Sequence, residues 1–377
     1  MVDTLKGAGD GAFDLLLLDH LPGVGPVTLV RLVRRFGSAR GALGAPYRDF
    51  AALAGAEAAR GRSVPAIREA VEQALASAAA SGTQVVTWGD AEYPQELFQL
   101  ADPPAVLFLR GRSELLTGTP AITLVGARRA TGRGRDLSGR LGTALARAGA
   151  TVVSGLALGV DGAAHAGALR AGGHTIAVLG TGADVPYPRA HRKLFDRISE
   201  EGLLVSEFAP GTGAAPHHFP RRNRILAALA STVVVVEAGS RSGSLITVDH
   251  ALDLGRDVWA VPGPIDTSVC VGSNRLLTEG ARALVSIEDF VRSVVHPRTS
   301  ATSPVEGGRE PTASDPEWPC ETLESRMLAV LAEDALPVDE LSARFLRPVP
   351  EILAVLTTLE LHGEVVRLPG LRFRRAA

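Results

Sequence analysis

The sequence predicts a mixed α/β protein: a Rossmann-like, doubly wound parallel sheet, flanked by an N-terminal helical domain of the SAM or helix-hairpin-helix type and a C-terminal winged helix. Three observations predict it. Residues 120–162, PAITLVGARRATGRGRDLSGRLGTALARAGATVVSGLALGVDG, read as strand, glycine-rich turn, helix, strand and second glycine-rich turn. Apolar runs of strand length then alternate with helix-length segments as far as Val294. On either side the period changes, being helical before Gly82 and reading as three helices and two short strands after residue 320.

The first domain is read over residues 1–81. Residues 13–18 are apolar apart from Asp14, and LPGVGPVTLVRLVRRFGS follows from Leu21. Gly23 and Gly25 make a tight turn, and Val27, Leu29, Val30, Leu32 and Val33 populate the next helix, so this is a helical hairpin. Its Gly-Val-Gly is similar to DNA-binding hairpins in which amides at a helix N-terminus grip a phosphate; a plain structural hairpin is the equal alternative. Ile67, Val71 and Leu75 continue the helices to about residue 80.

The second domain is read over residues 82–295. QVVTW and residues 105–111 are strands that extend the sheet before its parallel part. Residues 121–125 form a short apolar run with Ile and Val, as in a strand covered on both faces. Helices are predicted over 135–148, 162–171, 194–198, 221–230 and 244–254, and strands over 151–153, 174–179, 203–206, 232–237 and 258–261. Segments 274–279 and 287–294 close the domain. Residues 296–320, rich in Pro, Ser, Thr and Gly, are read as a linker. Residues 321–377 are the winged helix, whose third helix carries Glu351 and Glu360 and no Lys or Arg. That disfavours reading a major groove.

The 377 residues carry a formal net charge of −2, so any basic surface is local. Cys270 and Cys320 stand far apart in no metal-like pattern, and neither a signal peptide nor a membrane-length apolar run is seen. A cytoplasmic protein without membrane contact, metal or cofactor is expected. The first strand lacks G-x-G-x-x-G, no P-loop sequence occurs, and Arg241 stands where a nucleophile elbow needs serine.

What is present is basic and glycine-rich. Arg128, Arg129, Arg133, Arg135, Arg140 and Arg147 face one Asp136 in the stretch after the first core strand, which suits a phosphate-rich ligand larger than one nucleotide. Gly126 and Arg128 follow that strand, and Ser154 and Gly155 end the next, where small residues admit a phosphate to backbone amides. Arg221, Arg222 and Arg224 beside Asn223 start a helix, against its dipole, and so need protein carboxylates or a bound phosphate. Ser242, Gly243 and Ser244, with Thr247, open another helix as an anion site. Phe219 is read as a core residue or a base platform, and Asp161 with His165 as supports of their own helix.

The ordered segments SGLALGVDGAAHAGAL, GTGADVPYP, FPRRNRILAALAS, VVVVEAGSRSGSLIT and WAVPGPID resemble the DNA-processing protein A family, also called DprA or Smf. The resemblance covers nearly the whole chain. It implies a cytosolic, non-enzymatic homodimer that binds single-stranded DNA, protects it in natural transformation and loads the RecA recombinase, with duplex DNA or a single-strand-binding protein as further candidate partners. It matches Gly126-Ala127-Arg128 to the family's Gly-Ser-Arg turn and Arg189 to its basic residue after Tyr-Pro. It also matches Arg222, Asn223 and Arg224 to its Arg-Asn-Arg motif, and residues 242–247 to its Ser-Gly-Ser-Leu-Ile-Thr. Ala127 and His191 depart from the family's usual Ser and Asn. The competing class is a phosphoribohydrolase-type nucleotide enzyme, for which Glu237 is the candidate acid. A third class, a winged-helix regulator with a ligand-sensing core, is disfavoured by the acidic third helix.

Overall fold

The structure is a computed structural model that describes residues 11–118, 120–295, 327–328, 330–331, 335–345, 347, 349–368 and 372–376. The predicted linker, residues 1–10, Cys320, the start of the first C-terminal helix and the Pro369-Gly370 turn lie outside these. Residues 1–300 and 301–377 form two compact units.

Among the described residues the first unit begins with five helices, α1 (Ala12–Asp19), α2 (Pro26–Phe36), α3 (Ala39–Leu43), α4 (Tyr47–Gly61) and α5 (Pro65–Ala80). Proline at N1 of α2 fixes a helical φ where no amide partner is lost, and Gly37, at φ 80°, ends that helix in the left-handed region. Leu29, Val30, Leu32 and Val33 are buried, as their spacing requires. The turn at Gly23 and Gly25 joins α1 to α2 as predicted.

A nine-stranded sheet follows: β1 (Gln84–Thr87), β2 (Val106–Gly111), β3 (Ala121–Val125), β4 (Thr151–Ser154), β5 (Thr175–Val178), β6 (Leu203–Ser206), β7 (Thr232–Val235), β8 (Asp257–Ala260) and β9 (Arg282–Ala283). Its spatial order is β1-β2-β6-β5-β4-β3-β7-β8-β9. From β6 to β9 all pairings are parallel, whereas β2 runs antiparallel to β6 and β1 antiparallel to β2. β4, β5, β6 and β7 are buried at every position, which is why they read as apolar runs broken only by Thr or Ser at their ends. Period two still sorts the side chains: Ile122, Leu124, Val152 and Val234 enter one core, and Val125, Val153, Val233 and Val235 the other. That second core also holds Leu15, Leu18, Leu29 and Phe50, so the N-terminal helices and the sheet share one apolar interior across Gly82.

The connecting helices are α6 (Gly132–Arg147), α7 (Val160–Arg170), α8 (Arg192–Glu201), α9 (His218–Ala228), α10 (Ser244–Asp253), α11 (Val271–Thr278) and α12 (Ile287–Val295). α6 starts three residues before its predicted position because Thr131 caps it, its Oγ1 accepting from the Gly134 amide at 2.9 Å. α9 also starts early, since Pro220 falls in its first turn, where a missing N–H goes unnoticed.

In the second unit, α13 (Val338–Phe345) and α14 (Val349–Leu361) pack with a three-stranded antiparallel sheet, β10 (Leu336–Pro337), β11 (Val365–Leu368) and β12 (Arg372–Arg375), around Met327, Leu341, Ile352, Leu356 and Phe373. The two-stranded wing expected from sequence thus gains a third short strand, with Leu336 opposite Phe373. Among the described residues no helix is long and apolar enough to cross a membrane.

Candidate nucleic-acid interface

The sheet order reverses at β3, with β4 on one side and β7 on the other. Crevices at the carboxyl ends of strands form at such a point. Here the turns after β3, β4 and β7 and the start of α9 enclose an open pocket of about 980 Å³. Gly126 and Arg128 reach it from β3, Asp161 from the start of α7, Arg222 and Asn223 from α9, and Ser242, Gly243, Ser244 and Thr247 from α10.

Its accessible charge is positive. Arg128 and Arg241 line the pocket, are exposed, and make no ion pair among the described residues. The Arg128 guanidinium lies 5.1 Å from the centre of the Phe219 ring, and Tyr187 lies 5.5 Å from the same ring at 36°. Cation, aromatic face and second aromatic therefore form one wall. Phe219 is half-buried and Tyr187 is 40% exposed, so Phe219 serves this wall rather than the interior core.

The pocket floor is built differently. Arg222 is buried and donates from Nη1 to the carbonyls of Gly155 (3.0 Å) and Val178. A side chain at position 155 would collide with that guanidinium, which is why glycine stands there. Asp161 Oδ2 accepts from the amides of Gly155 at 3.2 Å and Ala157 at 3.3 Å. Burial pushes the Asp161 carboxyl up to about 6 although Arg222 pulls it down, and burial lowers Arg222 to about 10. Ser154 Oγ donates to the Leu124 carbonyl at 2.6 Å. The expected phosphate cradle of Ser154 and Gly155 is thus corrected: the hydroxyl and the amide are consumed by Leu124 and Asp161. Arg222 Nε and Thr247 Oγ1, both buried in residues of the pocket wall, have no hydrogen-bond partner among the described residues.

Arg224 is a second correction. It is buried and does not line the pocket; Nε donates to Asp102 at 3.0 Å, and Nη1 and Nη2 to Glu207 at 3.0 and 2.9 Å. Arg221 shares Glu207, at 2.9 Å. The anionic partner that this cluster demanded is therefore the protein's own. Asn223 spans from α9 to the α10 turn, donating from Nδ2 to the Gly243 carbonyl at 3.0 Å, while Ser242 and Ser244 hydroxyls lie 2.8 Å apart.

Glu237 faces away from the pocket chemistry. Its carboxylate accepts from the Thr131 amide at 2.8 Å and the Thr131 hydroxyl at 2.6 Å, fixing the start of α6. It is committed to a helix N-terminus and does not line the pocket, so the nucleotide-enzyme reading loses its acid. Among the described residues no group of three or more His, Cys, Asp or Glu is arranged to hold a metal.

A family model described as DNA recombination-mediator protein A matches residues 84–295, and a DprA winged helix domain model matches residues 309–370. The chain belongs to the DNA recombination-mediator protein A family. It is 34% identical to Protein Smf of Synechocystis over 319 residues, covering 78% of this chain and 80% of that one. It is 44% identical to the DNA processing protein DprA of Streptococcus pneumoniae over 199 residues, covering 53% and 70%. The X-ray structure of the S. pneumoniae protein superposes with a TM-score of 0.63 at 33% identity, over 76% of this chain and 98% of that one. The DNA processing protein A of Helicobacter pylori, whose structure was determined for its single-stranded DNA binding mode, superposes with a TM-score of 0.53 at 30% identity, over 57% and 98%.

Within this mediator fold, Arg189 is exposed and makes no ion pair among the described residues. It follows Pro188, which borders a smaller cavity of about 60 Å³ shared by Arg128, Gly155 and Phe219. His191, the departure from the family pattern, donates from Nδ1 to the Leu156 carbonyl at 3.0 Å and packs where a side chain at Gly162 would otherwise stand. Of the expected site residues, the structure gathers Gly126, Arg128, Arg222, Asn223, Ser242, Gly243, Ser244 and Thr247 around one pocket, leaves Gly155 lining the smaller cavity with Arg189 next in the chain to its Pro188, and withdraws Ser154 and Arg224. Arg241, Tyr187 and Asp161 were not among them. The signal for Arg241 was its place between two serines in a glycine-flanked turn, where a long cation has no packing role.

Proposed function

We propose that this mediator binds single-stranded DNA in the pocket at the β3 reversal, Arg128, Arg189 and Arg241 holding phosphates while Phe219 and Tyr187 stack on bases. The observation that carries this reading is the pairing of exposed guanidiniums that lack protein carboxylates with an aromatic wall beside them. That combination suits an unpaired strand, which offers both charge and open base faces. The orphaned Thr247 Oγ1 and Arg222 Nε add polar groups in want of a partner. Groups reaching phosphate give a sequence-tolerant, salt-sensitive grip.

The same reading makes the chain a cytoplasmic, non-catalytic homodimer that protects incoming strands and hands them to RecA. The withdrawal of Glu237 supports the non-catalytic part. Ile265, Val271 and Val285, exposed apolar residues following β8 and β9 at one edge of the sheet, favour that edge for dimerisation. Two pockets side by side would lengthen the strand held and raise avidity.

Anisotropy titration of labelled single-stranded and duplex DNA across a salt series tests the site. Wild type should prefer the single strand, and Arg128→Ala with Arg189→Ala should weaken that binding about 100-fold while the fold is kept. Unchanged affinity in the double variant would remove the pocket from the mechanism, and equal affinity for duplex would remove the aromatic wall.

A further inference from the structure

Helix α6 carries Arg133, Arg140 and Arg147 at seven-residue intervals, so the three share one exposed face and are spaced about 10.5 Å apart along its axis. Arg170 joins them from α7 because the two helices meet backbone to backbone. A side chain at Gly142 would strike the Ala164 carbonyl and one at Gly167 the Gly139 carbonyl, and Thr143 Oγ1 donates across the seam to Gly167 at 2.9 Å. The approach lays the Arg170 guanidinium against Gly139. Arg135, Arg140, Arg147 and Arg170 then line an open groove of about 470 Å³ that also holds Asp136 and Glu288.

All four guanidiniums are exposed, and none makes an ion pair among the described residues; Arg135 alone places a donor, on the Ala130 carbonyl at 2.7 Å. Among the described residues the groove is bordered by no aromatic side chain, the anchor on which protein partners usually fasten. The groove also begins close to the pocket along the chain: Arg128 lines the pocket and Arg135 the groove, the turn between them is held by the Arg135 bond to the Ala130 carbonyl, and Arg133 is exposed within this stretch.

We propose that this groove is a second phosphate track, taking the backbone of a single strand where it leaves the pocket by way of Arg133. The inference rests on the pocket reading above and extends it from a grip on a few nucleotides to a longer path. The track reads no bases; it contributes charge only.

The test uses the full chain with Arg140→Gln, Arg147→Gln and Arg170→Gln together, titrated with strands of about 8 and about 30 nucleotides, the shorter filling one site. Short-strand affinity should stay within about twofold of wild type. Long-strand affinity should fall by about tenfold or more, the slope of log K against log salt shrinking by about 2 as three phosphate contacts are lost. The corresponding triple Lys variant should restore long-strand binding, which separates lost charge from a damaged fold. Wild-type affinity and slope on the long strand would overturn the track. So would an equal loss on both strands, or a loss confined to duplex of the same length. If wild type holds the long strand but not the short one, and the Gln variant loses it, the pocket reading falls and the track stands. If wild type holds neither, both fall.

Discussion

Arg128, in the turn after β3, and Arg224, within α9, are both cations that the sequence resemblance matched to basic motifs, yet the protein treats them oppositely. Arg224 is 3% exposed and saturated by Asp102 and Glu207; Arg128 is exposed, lies over an aromatic face and makes no ion pair among the described residues. A buried guanidinium with its carboxylates satisfied holds the chain together and has nothing left for a ligand. An exposed one that forms no ion pair stays hydrated until an anion displaces the water. Motif membership thus does not tell structural from binding arginines; the nearest carboxylate does.

The largest effect expected of this contrast is on stability. Arg224→Ala leaves Glu207 buried beside a single remaining, half-exposed arginine, and should destabilise the first unit by about 3–5 kcal/mol in denaturant unfolding. If the loss is instead small and strand affinity falls, the assignment of the two arginines is reversed.

Next comes Asp161, whose folded carboxyl, at about 6, lies above its unfolded value of 3.8. A raised carboxyl favours folding fully below the unfolded value and loses that contribution as pH rises through the folded one. Between pH 4 and pH 7 wild type should therefore lose up to about 3 kcal/mol relative to Asp161→Asn, measured as paired unfolding curves. A difference moving the other way would show that Arg222 outweighs burial.

For Arg128→Ala with Arg189→Ala the order of effects inverts: about 100-fold in single-strand affinity, roughly 2.7 kcal/mol, with the melting temperature held. The smallest effect is reserved for Arg221→Ala, which shares Glu207 with Arg224 but whose side chain is 38% exposed. It should cost less than about 1 kcal/mol in the same unfolding assay. A larger loss would mean that the Glu207 cluster acts as one unit rather than as a strong pair with a weak third member.

The sequence made the parallel core legible because its strands are short and mostly apolar and several, β3, β4 and β5 among them, run into glycine, and those are local signals. It made Arg128 and the turn at residues 242–244 legible for the same reason. What it did not disclose were partners distant in the chain. Asp102 lies 122 residues from Arg224, in a stretch that reads only as a turn, and Thr131 lies 106 residues from Glu237. No periodicity announces such pairs, so Arg224 read as a ligand contact and Glu237 as a candidate acid. The Ser154 hydroxyl and Gly155 amide misled similarly: small residues permit a phosphate but equally permit the Leu124 carbonyl and Asp161.

The apolar interior shared by α1, α2 and the sheet has a practical consequence. α1 packs on β1 and β2, and α5 on β1. A fragment begun at residue 84, where the family match starts, would leave the partners of Leu15, Leu18, Leu29 and Phe50 facing water along a whole flank of the sheet. Such a fragment should collect in inclusion bodies or bind hydrophobic dyes, whereas one begun at residue 11 should not. The stretch by which relatives recognise one another is therefore shorter than the stretch that can fold unaided.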